Sequence, residues 1–371
     1  MKIRILLKNT AHTFLQWKRN HCILSDTSIF ERQVVNKALS MAKSKKVVYI
    51  MSSKSFISNV IDFFYWRSAR ERRIFNFPKA YLFVGLTDYA MSKQDLQLMK
   101  KIAISFESYI NINGTPSFIF NKVDQVPFAM AALNLYQYLG DEKYKVMADY
   151  TYQKLISWSD PISGIIQYRK ESQVILSDML GMVCPFLVRY GEYFEKTDAI
   201  DLAYKQIEFY ILYGVEKDSH LPVHGIVNKT KIKVGPTNWG RGIGWYMLAL
   251  SFYSKLEGLN STNLVKNELS KLITTLNLLK TKESEWSQFP GSSNHFDAST
   301  TTMFMLGVNY SLSGSYSKDK ITRLLGKHID KRGAIINTSG ETFGINSYSN
   351  KFGQSELSQG ILLMLLSTTY Q

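Results

Sequence analysis

The sequence predicts an all-α protein, an (α/α)6 barrel in which six helical hairpins form a toroid. Three observations point there. Apolar residues recur at helical spacing along most of the chain, strand-like stretches are few, and the most apolar helices begin at a near-constant interval.

The apolar stripes come first. Val126, Met130 and Leu133 with Ala132, then Leu135 and Tyr136, form one. Leu180, Val183, Cys184, Leu187, Tyr190, Gly191 and Phe194 form a second, and Trp245, Leu248, Ala249, Phe252, Tyr253 and Leu256 a third. Steps of three and four residues are what one face of a helix requires. Between the stripes, 141–157, 198–213 and 262–280 read as helices with more polar faces. Only 47–50 and 333–337 read as strand.

Polar residues open apolar helices near Asp124, Asp178, Asn238, Asp297 and Glu356, at intervals of 54, 60, 59 and 59 residues, and Pro78 begins one more. Such a period fits a helix, a turn, a second helix and a loop, so about twelve helices make six hairpins. A line of hairpins would be a solenoid. The very apolar inner helices need cover on all sides, which favours the closed ring. The expected layout is one structural domain, with 1–77 supplying a basic extension and the first barrel helix, and 78–371 the barrel itself. In a closed ring the inner helices point their N-termini at one end. Their unpaired N–H groups and positive dipole ends would converge there and suit an anionic ligand.

Composition narrows the class. Hydrophobic residues make up 45% and charged residues 20% of the 371, which excludes a disordered chain. Eight prolines and 22 glycines exclude collagen-like and low-complexity readings. Two cysteines, Cys22 and Cys184, exclude a disulfide scaffold and a four-thiolate zinc site. No apolar run approaches the roughly 18–20 residues of a membrane span. The basic start is followed by an apolar stretch too short for a signal-peptide core. The expected location is cytoplasmic.

The net charge of +15 is unevenly placed. Residues 1–79 hold 16 Lys and Arg against 4 Asp and Glu, and the rest hold 29 against 26. Ile3, Leu6, Leu7, Phe14 and Trp17 alternate with Lys2, Arg4, Lys8, Lys18 and Arg19, the pattern of an amphipathic helix. Such a helix docks on its own body or a second subunit, or lies on an anionic membrane surface. Arg67, Arg70, Arg72 and Arg73 read as a solvated face, and no nucleic-acid-binding motif accompanies them.

The densest chemical cluster is Asn238-Trp239-Gly240-Arg241-Gly242-Ile243-Gly244-Trp245-Tyr246. Its glycines let backbone approach a ligand, its tryptophans can stack on sugar rings, and Arg241 can fork onto a carboxylate. The bland alternative is a glycine-rich turn with core tryptophans. It is not a dinucleotide fingerprint, because no strand precedes it and the third glycine is misplaced.

This run resembles the W-G-R-G-N-G-W signature of the unsaturated glycuronyl hydrolases, glycoside hydrolase families 105 and 88, which include the unsaturated rhamnogalacturonyl hydrolases. Four further stretches extend the resemblance across about 78–371. Asp124-Gln125-Val126 followed by Tyr136-Gln137-Tyr138-Leu139-Gly140-Asp141-Glu142-Lys143-Tyr144 is similar to D-x-x…L-Y-x-x-T-G-D-E-K-Y. Ser177-Asp178-Met179-Leu180-Gly181-Met182 is similar to W-x-D-x-x-x-M, and Pro222-Val223-His224-Gly225 to the H-G/A-W-D loop. Phe296-Asp297-Ala298-Ser299-Thr300 is similar to an E-x-S/T helix start.

The resemblance implies an (α/α)6 barrel with Asp178 as general acid and base and Asp124 as second carboxylate. It implies a pocket lined by His224, Trp239, Arg241 and Trp245, and an oligosaccharide with an anionic terminal sugar as substrate. The sequence departs from the family at Leu176 in place of Trp, at Ile226-Val227 in place of Trp-Asp, and at Ile243 in place of Asn.

The implied chemistry asks little of the protein. The substrate is an enol ether with a double bond between C4 and C5 of a terminal uronic acid. An acid protonates C4, water adds at C5, and the hemiketal collapses to release the next sugar. No attack at the anomeric carbon occurs, so the usual nucleophile–acid pair is not required. From the residues alone, Asp178 equally fits a helix first turn. His220 and His224 are four apart, but Pro222 between them argues against a shared metal-binding helix face. No catalytic metal and no cofactor are expected. A second class of reading is a non-catalytic or divergent saccharide-binding barrel in polysaccharide assembly, which the basic extension and the altered pocket residues favour.

Overall fold

The computed structural model describes residues 26–44, 76–169, 172–292, 295–312, 315–342 and 344–370. The basic amphipathic segment, the arginine cluster at 67–73, Cys22 and the strand expected at 47–50 lie outside these residues.

Among the described residues twelve α-helices alternate between two layers. The inner ones are α2 (Phe77–Ser92), α4 (Pro127–Leu139), α6 (Ser177–Phe194), α8 (Gly240–Tyr253), α10 (Ala298–Ser311) and α12 (Glu356–Ser367). The outer ones are α1 (Thr27–Lys43), α3 (Leu96–Phe106), α5 (Glu142–Trp158), α7 (Thr197–Tyr213), α9 (Asn260–Leu278) and α11 (Lys318–Leu325). Every residue of α8 and α12 is buried. The outer helices bury one stripe each, as Val265, Leu269, Leu272 and Leu276 of α9 do. The two compositions follow from position, since an inner helix has protein on all sides and an outer one has water on its far face.

Each inner helix packs on the next, and α12 packs back on α2, so the ring closes as an (α/α)6 barrel. The inner starts fall where the recurring polar residues place them. Closure rests on two devices. At Gly85 and Gly360 the backbones of α2 and α12 touch: a Cβ on Gly85 would lie 2.0 Å from the Gly360 carbonyl oxygen. At the helix N-termini, Lys79 of α2 pairs with Glu356 of α12 at 2.5 Å, both fully buried. The Lys79 ammonium also donates to the Met41 and Ser44 carbonyls, which ties in the end of α1.

Five short strands complete the described fold. β1 (Val174–Leu176), β2 (Gly225–Val227) and β3 (Lys233–Val234) form one antiparallel sheet, and β4 (Thr338–Ser339) pairs with β5 (Phe352–Gly353). The strand expected at 333–337 is corrected. Gly333 adopts φ 82° in a turn, Ile335 makes only an isolated bridge to Ile329, and pairing begins at Thr338. Among the described residues no helix is long and apolar enough to cross a membrane.

Candidate active site

The three-stranded sheet sets the first pair of side chains. Leu176 of β1 stands opposite Gly225 of β2. The chain turns from β1 straight into α6, whose second residue is Asp178, and His224 immediately precedes β2. The Ser177 amide donates to the His224 carbonyl at 2.9 Å, which locks the two segments together. His224 Nε2 then lies 3.5 Å from Asp178 Oδ2. His224 is buried. A Cβ at Gly235 would fall 2.8 Å from the His224 Cβ, so glycine there makes room for the imidazole.

On its other side, His224 Nδ1 is 2.6 Å from the Tyr348 hydroxyl. Burial pushes the Tyr348 phenol up to about 12, so it keeps its proton. Both contacts are satisfied together when Tyr348 donates to Nδ1 and Nε2 carries its hydrogen toward the carboxylate. The Trp239 indole lies against the imidazole at 4.3 Å and against Tyr348 at 5.3 Å.

Asp124 arrives from a single helical turn, Val123–Gln125, packed on α6. Its carboxylate accepts from the Tyr168 hydroxyl at 2.6 Å and pairs with Lys122 at 3.1 Å. Burial holds the Tyr168 phenol far above its usual range, and the charges of Asp124 and Asp178 both add to that rise. The two carboxylates therefore act on one phenol. Their hydrogen bonding differs. Asp124 is tied on one oxygen by two donors, whereas Asp178 Oδ2 has only the longer contact to His224 Nε2, at 3.5 Å.

The remaining sequence-predicted residues are placed differently. Trp245 is 1% exposed and packs in the core on Phe77, Tyr81 and Gly181, not in a pocket wall. Trp239 is 2% exposed, with its faces covered by His224 and Tyr348, so it supports the imidazole and offers no open stacking face. Arg241 is engaged by the protein's own backbone. Its guanidinium donates to the Ser339 carbonyl at 2.8 Å, the Gly340 carbonyl at 2.6 Å and the Thr342 hydroxyl at 3.0 Å. It clamps the 339–342 loop. Asp297 caps α10 and accepts from the Ser339 amide at 3.0 Å, fixing the same loop. The glycines serve packing: Gly240 faces Thr300, Gly242 faces Trp239 and Ser177, and Gly244 faces Met303.

Arg241→Lys is expected to raise amide hydrogen exchange across 339–342 at least about tenfold. One ammonium cannot replace the fork, and each hydrogen bond to a charged group is worth about 1.5–3 kcal/mol. Exchange mass spectrometry reads this directly. Unchanged protection of the loop would mean that the guanidinium is not its clamp.

Tyr168 and Tyr348 escaped sequence reasoning. They reach their partners across 44 and 124 residues, and neither sits in a recognisable motif. Among the described residues, the other histidines are engaged elsewhere: His220 with Glu268 at 3.0 Å, His328 with Glu285 at 2.8 Å, and His295 against the Phe352 ring. Among the described residues, no three His, Cys, Asp or Glu side chains gather as a metal-binding group.

A pair of carboxylates, Asp124 buried and Asp178 partly exposed, stands at the N-terminal end of an (α/α)6 ring. The profile of Glycosyl Hydrolase Family 88 matches residues 52–349, and the chain belongs to that family. It is a glycosidase. Three solved structures share its fold. A glycoside hydrolase of family 105 from C. acetobutylicum superposes with a TM-score of 0.69 at 15% identity, covering 80% of this chain and 93% of that one. A possible family 105 member from Salmonella enterica serovar Paratyphi A gives 0.67 at 16%, covering 80% and 83%. An Asp→Asn variant of an unsaturated glucuronyl hydrolase with dGlcA-Glc-Rha-Glc gives 0.65 at 12%, covering 90% and 94%. No curated protein matches the chain in sequence.

Proposed function

We propose that the protein removes a 4,5-unsaturated uronyl residue from the end of an oligosaccharide by hydrating its double bond, with Asp178 as acid and base. The observation that carries this is the partly exposed Asp178 carboxylate, whose Oδ2 meets only the His224 imidazole, at 3.5 Å. A carboxylate that is partly exposed and held by one long contact keeps hydrogen-bonding capacity for a substrate. Asp124, tied by Tyr168 and Lys122, is in no position to exchange a proton as freely. The family and a relative bound to a dGlcA-terminated tetrasaccharide support the same substrate class.

In this mechanism Asp178 delivers its proton to C4, and the positive charge that develops is shared between C5 and the ring oxygen. Water adds at C5 and gives a proton back to the Asp178 carboxylate, restoring the acid. His224 Nε2–H, 3.5 Å from Oδ2, steadies the ionised form between the two steps. The hemiketal at C5 opens, and the aglycone sugar leaves from C1 as an alcohol. The six inner helix N-termini converge on this end and favour the substrate carboxylate electrostatically. That role passes to them because Arg241 is spent on the 339–342 loop.

Loss of the ultraviolet absorbance of the conjugated double bond measures the reaction. Turnover of at least one uronyl disaccharide released by a polysaccharide lyase is expected. No loss of absorbance across glucuronyl and galacturonyl substrates of several linkages would overturn the proposal.

A further inference from the structure

The far end of the barrel holds a feature that hydration at Asp178 does not use. A cavity of about 610 Å³ opens where the inner helices end, and all six contribute to it. Asp88 comes from α2, Asn134 from α4, Arg189 and Glu192 from α6, Tyr310 from α10, and Lys255 follows α8. Arg189 lies eleven residues along α6 from Asp178, roughly 16 Å by helical rise, so this cavity is separate from the candidate active site.

Part of the lining is structural. Arg189 forks onto Asp88 at 2.9 and 2.8 Å, and Asn134 donates to Asp88 at 2.6 Å while accepting from Arg189 at 3.2 Å. This network staples α2, α4 and α6, and Arg189 is neutralised within it. It does not account for the open volume, nor for Lys255 and Glu192. Among the described residues, Lys255 has no carboxylate within ion-pairing distance. Its ammonium lies 3.7 Å from the centre of the Tyr310 ring. Lys255 stands at the rim, exposed by surface area, yet crowded enough that desolvation, with the Arg189 charge, pulls it down to about 8. Glu192, across the rim, likewise makes no ion pair or hydrogen bond among the described residues, and burial raises its carboxyl.

We propose that this cavity is a second saccharide site, which binds one or two sugar rings bearing a carboxylate, with Lys255 as the cation that meets it. Its volume lies in the range of small-molecule pockets. The exposed Tyr193 ring offers a face to the C–H side of a sugar, the Phe252 and Tyr310 rings being covered by Arg189 and Lys255, and Glu192, Asn134 and Gln137 offer acceptors and donors to its hydroxyls. A neutral sugar would use the same polar groups but leave Lys255 without a carboxylate, on the Tyr310 ring alone. The choice of an acidic sugar rests in part on the proposed uronide substrate, whereas the cavity and its unpaired cation do not.

Titration calorimetry on the full chain with glucuronate and with glucose tests this. Wild type is expected to bind glucuronate at a site that Asp178→Asn leaves intact and that Lys255→Gln weakens at least about tenfold, with glucose also weaker by at least about tenfold. Lys255→Glu, which reverses the charge at the rim, should abolish it. Glucuronate binding indifferent to both Lys255 variants would overturn the site, and equal affinity for glucose would overturn the role of the carboxylate. Neither outcome depends on turnover, so a failure here is distinguishable from a failure of the hydrolase assignment.

Discussion

Asp178→Asn is expected to lower turnover of an unsaturated uronyl disaccharide by on the order of 10²–10⁴-fold while the fold persists. The amide is nearly isosteric with the acid but cannot deliver and retake a proton. The position is in the first turn of α6, where losing a negative charge costs about 0.3–1 kcal/mol, too little to unfold the ring. The effect should fall on the chemical step, so kcat and kcat/KM should drop together. Asp124→Asn should lose less. The amide oxygen still accepts from Tyr168, and only the charge beside Lys122 is gone. If Asp178→Asn stays fully active while Asp124→Asn is dead, the two carboxylates have been assigned the wrong way round.

Lys79→Met is expected to destabilise the protein by about 3–5 kcal/mol, the usual cost of stranding one member of a buried ion pair. Glu356 would lose the Lys79 ammonium at the start of α12, at the seam where the ring closes. The Met41 and Ser44 carbonyls would lose their donor at the same time, which loosens the end of α1. Denaturant unfolding monitored by circular dichroism reads the change. Lys79→Met combined with Glu356→Leu should recover most of the loss, because two apolar side chains leave no buried charge. A single variant as stable as wild type would show that the pair does not hold the seam.

The ring was legible in the sequence because burial acts on every inner helix alike. Apolar residues all round a helix, opened by Asp, Asn or Glu every 54–60 residues, recur whichever neighbours meet. Closure was less legible, since it depends on contacts such as Gly85 against Gly360, far apart in the chain. The glycine run shows the limit most clearly. Gly240, Gly242 and Gly244 read equally as a ligand-approaching turn and as close helix packing, and Thr300, Ser177 and Met303 decide for packing. Arg241 likewise had the geometry for a carboxylate, but the 339–342 loop, about a hundred residues on, claims it first. Three-residue strands carry too little alternation to be read, so the sheet that aligns Asp178 with His224 left no signal. Tyr168 and Tyr348 could be found only once the fold had brought them in.

The most direct test of the account uses two disaccharides of the same linkage that differ only in the C4–C5 double bond. Hydration at C5 requires that bond, whereas hydrolysis at the anomeric carbon does not. The unsaturated compound is expected to be cleaved, with one equivalent of double bond lost for each sugar released, and its saturated counterpart to remain intact. Cleavage of the saturated compound at a comparable rate, or release of a sugar that still carries the double bond, would contradict it.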